Sequence, residues 1–224
     1  MASKPEKFTY RPLQGPKDFR LLNLLPGERD EPLNCSLYHS SLTSHPNYCA
    51  VSYTWGTPGF FQEIELNGVT HPIQTNLFDF LQQLRLPDSP TTLWVDALCI
   101  NQSDVPEKNI QVPLMGAIYS IAKSVFVWLG PQADGSEEYF DSCNQITSES
   151  QSALSSWRIH TNAVGDTGCP NAVAIASLQR CTYWTGTWII QEICLAADIH
   201  IFCGDRSTIW ANFILRMPDY DANN

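Results

Sequence analysis

Four short apolar segments, each running into polar or glycine residues, constrain this chain more than any other feature: Tyr48–Tyr53, Leu93–Ile100, Ser124–Leu129 and Ile199–Cys203. Runs of this length bounded by turn formers read as buried strands. Helical patterns separate them. Thr75 and Asn76 can cap a helix whose apolar face is Leu77, Phe78, Phe80, Leu81 and Leu84, stopping before Pro87. Asp104 and Glu107 have capping-box spacing, with Pro106 in the first turn, so a second helix opens near residue 105. It presents Ile110, Leu114, Met115, Ile118, Tyr119 and Ala122, and Pro113 should bend it. Alternating strands and helices predict an α/β fold, an open parallel sheet flanked by helices.

Other segments decorate this frame. Phe19–Leu25 and Leu33–Leu42, around a turn at Pro26–Asp30, read as an N-terminal strand pair. Glu63–Ile73 alternates around Asn67-Gly68, a strong hairpin signal, and the hairpin is expected outside the main sheet. From 132 to about 175 polar residues dominate apart from an amphipathic piece at Tyr139–Ile146, which reads as a helical or loop insertion at the surface. The chain thus divides into a tail at 1–18, one domain at 19–210 and a tail at 211–224.

Composition narrows the function classes. The eight cysteines and five histidines are scattered without paired short spacing, which favours free thiols in a reducing compartment and no metal site. A formal charge of −10, with no Lys/Arg cluster to reverse it locally, argues against nucleic-acid binding. No apolar run approaches the roughly 18 residues of a membrane span, and the N-terminus lacks a secretory core, so a cytoplasmic location is expected.

Ligands of open α/β sheets bind beyond the carboxyl ends of the strands. Here those ends deliver Ser52, Tyr53, Thr54, Trp55 and Gly56, then Asn101 to Asp104, then Gly130. Each has a plainer alternative: Trp55-Gly56 as a turn with a packed aromatic, Asn101 as a turn former, Asp104 as a cap. Asp96 is either a buried structural acceptor on its strand or a ligand contact. A second candidate lies at Trp188-Ile189-Ile190-Gln191-Glu192. If helical, Trp188 and Glu192 stack four residues apart, with Ile189, Ile190, Ile193, Cys194 and Ala197 on the far side. The alternative is an amphipathic helix with a solvated glutamate. No GxGxxG follows the first strand, which counts against dinucleotide binding of the Rossmann kind.

Three segments together resemble the fungal heterokaryon-incompatibility (HET) domain. They are Tyr48 to Gly56 (YCAVSYTWG), Leu93 to Gln102 (LWVDALCINQ) with its continuation through Asp104, Glu107 and Met115 to Val127-Trp128-Leu129-Gly130, and Trp188 to Glu192 (WIIQE). Their order and spacing also match, over roughly residues 19 to 205.

The resemblance implies a module of fungal non-self recognition whose activation leads to cell death, through self-association and an upstream receptor or NLR-type partner. HET domains are in turn similar to TIR domains, which implies a flavodoxin-like sheet and, in catalytic members, cleavage of NAD+ or NADP+ as substrate, without a further cofactor. TIR enzymes carry a Trp four residues before the catalytic Glu, and Trp188 and Glu192 match that spacing. Glu192 then becomes the expected catalytic residue, with Trp188, Ser52, Tyr53, Trp55, Gly56, Asn101 and Asp96 as expected substrate contacts. A non-catalytic signalling module is the alternative. Two departures stand out: Gly186 occupies the place where the family commonly has Arg, and the residues after Phe213 leave little room for a fifth strand.

Overall fold

The computed structural model describes residues 7–133, 135–146 and 172–217. Most of the insertion expected at 132–175 lies outside the described residues. The central strands form where the apolar runs are continuous. They are β1 (Asp18–Leu24), β2 (Asn34–Ser41), β3 (Cys49–Tyr53), β4 (Phe61–Leu66), β5 (Val69–Gln74), β6 (Thr91–Trp94), β7 (Ser124–Trp128), β8 (Ile199–Cys203) and β9 (Arg206–Ile209). All nine join one sheet in the order β5-β4-β2-β1-β6-β3-β7-β8-β9.

The sheet is mixed rather than parallel throughout. Its centre, β6-β3-β7-β8, is parallel. The antiparallel β1–β2 pair is added to one side of this centre through β6, and β9 to the other through β8. The β4–β5 hairpin turns at Asn67 (φ 53°) and Gly68 (φ 78°), the left-handed pair its sequence calls for. It does not stand apart: Glu65 and Leu66 of β4 pair in parallel with Asn34 and Cys35 of β2, extending the sheet. Buried Ile64, Leu66 and Ile73 explain why, since a hairpin left alone would expose them.

Helices α1 (Thr75–Leu84), α2 (Asp96–Cys99), α3 (Val105–Ile121), α4 (Ser136–Asn144), α5 (Ala172–Gln179), α6 (Ile189–Cys194) and α7 (Trp210–Arg216) flank the sheet. In α1, Leu77, Phe80, Leu81 and Leu84 are buried at the spacing of one helical face. Asp104 caps α3 by accepting from the Glu107 N–H at 3.0 Å, and the helix continues through Pro113. Phe80 stacks on Trp128 at 4.9 Å between ring centres, joining α1 to β7. The segment after β9 is α7, whose Phe213 packs with Tyr139 and Phe140 of α4.

β6 is shorter than its apolar run. It ends at Trp94, and Asp96 opens the single turn α2 by accepting from the Ala97 N–H at 2.7 Å. Asp96 therefore stands at the mouth of the sheet rather than inside a strand. Before β1, Tyr10 donates to the Leu98 carbonyl at 3.0 Å, and its ring lies 4.8 Å from the guanidinium of buried Arg20.

Candidate active site

A cleft of about 400 Å³ opens where β3 and β6 end. After Tyr53 the chain turns through Thr54, Trp55 and Gly56, the last at φ 83° where glycine avoids strain. Asn76, at the head of α1, fixes this turn: its Nδ2 donates to the Thr54 carbonyl at 2.6 Å and its Oδ1 accepts from Trp128 Nε1 at 2.9 Å. The opposite wall comes from the 3-10 turn Thr182–Thr185, Gly186 and α6.

Glu192 lines this cleft and is only 8% exposed, while Ile190 on the same helix is 70% exposed. This reverses the amphipathic pattern read from the sequence. The solvated-glutamate alternative fails because the carboxylate has found protein partners in place of water. The Ser52 hydroxyl donates to Glu192 Oε2. Ser52 Oγ and Tyr183 Oη are 2.6 Å apart. Since the single Ser52 proton is engaged by the carboxylate, Tyr183 is the donor in that second bond. Tyr119, which donates to the Val51 carbonyl at 3.0 Å, also lies in hydrogen-bonding reach of Glu192.

Asp96 supplies a second carboxylate to the same cleft. It accepts from Trp55 Nε1 at 2.9 Å and from the Tyr53 hydroxyl. Burial raises the Asp96 carboxyl above its ordinary range, and the bonds from Trp55, Ala97 and Tyr53 oppose the rise. Burial likewise pushes Glu192 up to about 7; the Ser52 bond pulls against this, and the negative charge of Asp96 adds to it. Such a group exchanges its proton near neutral pH, as a general base needs to.

The expected site residues do not all gather here. Tyr53, Trp55, Asp96, Trp188 and Glu192 line the cleft together. Ser52 stands behind Glu192 as its hydrogen-bond donor, not as a lining residue. Gly56 faces a neighbouring hollow with Asn76 and Gly130. Asn101 is elsewhere: its N–H donates to Glu107 Oε1 at 2.7 Å, its side chain accepts from the Ser103 N–H, and it lines a separate hollow with Asp104 and Glu107. The reason is local: these bonds hold Asn101 toward Glu107 and Ser103, while its neighbours Ile100 and Gln102 reach the cleft. Among the described residues, no group of three His, Cys, Asp or Glu side chains could hold a metal ion, and no helix is long and apolar enough to cross a membrane.

Sequence reasoning missed Tyr183 and Met115 as cleft residues, whereas Gln102 belongs to the Asn101 to Asp104 stretch expected at this edge. Tyr119 was legible only as a core residue of its helix, because periodicity reports burial and says nothing of where a hydroxyl points.

Comparison with known proteins places this geometry in a family. The model described as "Heterokaryon incompatibility protein (HET)" matches residues 48–192, from the start of the β3 motif to Glu192 itself. The chain is 31% identical over 226 aligned positions to "Heterokaryon incompatibility protein 6, OR allele" of Neurospora crassa, covering 83% of this chain and 33% of that relative. It thus spans about a third of the relative's length. No solved structure matches the chain. The family match over most of the sheet, together with this relative, shows that the chain belongs to the heterokaryon incompatibility (HET) family.

Proposed function

We propose that this chain is the effector domain of a fungal incompatibility response and that it hydrolyses NAD+ or NADP+ at the nicotinamide–ribose bond, in the cytoplasm and when self-associated. One observation carries the reading: a buried carboxylate, Glu192, shares a cleft of about 400 Å³ with the half-exposed Trp188. The name of the Neurospora relative supports the incompatibility role, and the resemblance to TIR enzymes suggests the chemistry.

Cleavage develops positive charge on the ribose, as in glycoside hydrolysis. Nicotinamide departs as a neutral molecule and takes the bonding pair, so its departure requires no acid. The ionised Glu192 carboxylate stabilises the ribosyl cation and then accepts the proton of the water that adds to it. Trp188 and Trp55 offer flat faces to the cationic pyridinium before cleavage.

A second reading, a non-catalytic module acting by oligomerisation and recruitment, draws on the apolar side chains Trp188, Ile190 and Leu195 exposed around α6. The test is nicotinamide release from NAD+ by chain brought together on a multivalent scaffold. Wild type should release it, and Glu192→Gln should lose at least about a hundredfold with an unchanged circular dichroism spectrum. Undiminished turnover in Glu192→Gln removes Glu192 from the mechanism, and silence of the assembled wild type favours the recruitment reading.

A further inference from the structure

Two side chains from one segment converge on a single hydroxyl. Tyr183, in the Thr182–Thr185 turn, and Glu192, in α6, both bond to Ser52, the fourth residue of β3 at the centre of the sheet. All three are buried. Between the two bonded residues lies the stretch Gly186 to Trp188, whose tryptophan is 52% exposed at the cleft.

Proton counting fixes the direction of the chain. An ionised carboxylate only accepts, so Ser52 gives it its one proton, and the Ser52 oxygen is then satisfied by the Tyr183 hydroxyl. Hydrogen bonds arranged head to tail polarise one another, and both members hold the carboxylate in one rotamer. We infer that Tyr183 is a positioning residue for Glu192, acting through Ser52: the Tyr183–Ser52 pair fixes the carboxylate toward the cleft and stabilises its ionised form. The inference rests on Glu192 being the working group of the cleft, but its central claim concerns the carboxylate itself, and is testable without turnover.

The groups facing Glu192 from each neighbouring element are few. Asp96 from α2 disfavours its ionisation, Ser52 from β3 favours it, Tyr119 from α3 favours it with a proton it shares with the Val51 carbonyl, and Tyr53 and Tyr183 are neutral hydroxyls whose own ionisation lies far above neutral pH. Removing the Ser52 donor therefore leaves burial and Asp96 unopposed on that side. The Glu192 midpoint should rise by about one unit or more in Ser52→Ala, the scale of one hydrogen bond to a charged group. It should rise less, by about half a unit, in Tyr183→Phe, and return close to wild type in Ser52→Thr, which keeps the hydroxyl.

The decisive variant is the double one. If Tyr183 acts through Ser52, Tyr183→Phe adds nothing to the Glu192 midpoint once Ser52 is alanine. The midpoint is read by carbon-13 NMR of the side-chain carboxyls in the full chain, with Glu192→Gln identifying the resonance. Effects that sum in the double variant, or a Tyr183→Phe midpoint equal to wild type, overturn the inference. Rates on NAD+ are measured in parallel. Where the wild type turns over, kcat should fall about tenfold in Tyr183→Phe with KM little changed, and the acidic limb of the pH profile should move with the NMR midpoint. A KM rise with an unmoved limb would make Tyr183 a substrate contact and overturn the positioning role. If no variant or wild type releases nicotinamide while the midpoints behave as described, the glycohydrolase reading fails and the positioning of Glu192 stands.

Discussion

At the scale of single residues, Glu192 sets a conflict between the site and the fold. Its midpoint of about 7 exceeds the ordinary 4.5, so the folded chain holds this proton more tightly than the unfolded one. A raised carboxyl contributes stability that is fully present below about 4.5 and is lost as the pH climbs through about 7. The ceiling on that loss is about 3 kcal/mol. Glu192→Gln keeps the shape and removes the charge. Urea unfolding at pH 5 and pH 8 should therefore show the variant gaining on wild type as pH rises; an equal pH dependence in both would mean the carboxylate is solvated after all. Asp96 was open in the sequence between structural acceptor and ligand contact, and the geometry gives it both positions: it holds Trp55 and it lines the cleft.

At the scale of elements, the stretch from Cys99 to Glu107 is held by one ion pair. Arg20 of β1 meets both carboxylate oxygens of Glu107, at 2.6 and 2.8 Å, and also donates to the Cys99 carbonyl at 3.0 Å. Burial raises the Glu107 carboxyl, yet the Arg20 bonds and the Asn101 N–H outweigh it and hold the group below its ordinary range. Arg20→Met strands this carboxylate and should cost about 3 kcal/mol in denaturant unfolding; adding Glu107→Leu should recover part of that loss. Cost equal to a surface substitution would show that water replaces the guanidinium. Sequence reading found Asp104 and Glu107 as a helix start, and the cap is there, but the long-range partner of Glu107 lies 87 positions away and leaves no local signal. The same blindness explains β6: an apolar run continues to Ile100, and only the Asp96 side chain, bonding to its own next N–H, shows why the strand stops at Trp94.

At the scale of the whole molecule, the four central strands were legible as short apolar runs bounded by turn formers, and the carboxyl-end rule pointed to the edge of the sheet where Tyr53 and Trp55 line the cleft. The outer strands β1, β2, β4 and β5 were legible as a strand pair and a hairpin, but the joining of β4 to β2 and the strand β9 were not. β9 is four residues long, and the link between β2 and β4 is two residue pairs. So slender a junction should open before the centre does. Hydrogen exchange followed by mass spectrometry should show β4 and β5 exchanging well ahead of β3 and β7, and uniform protection across the sheet would contradict that hierarchy.

The two rims of the sheet also differ. β5, the strand at one rim, carries Pro72, which has no N–H to offer, and β9 closes the other with four residues that lead straight into α7. Neither rim is a ledge on which a second copy could lay a long strand. Among the described residues, edge-to-edge pairing of strands between native copies, and amyloid-like stacking with it, is thereby disfavoured.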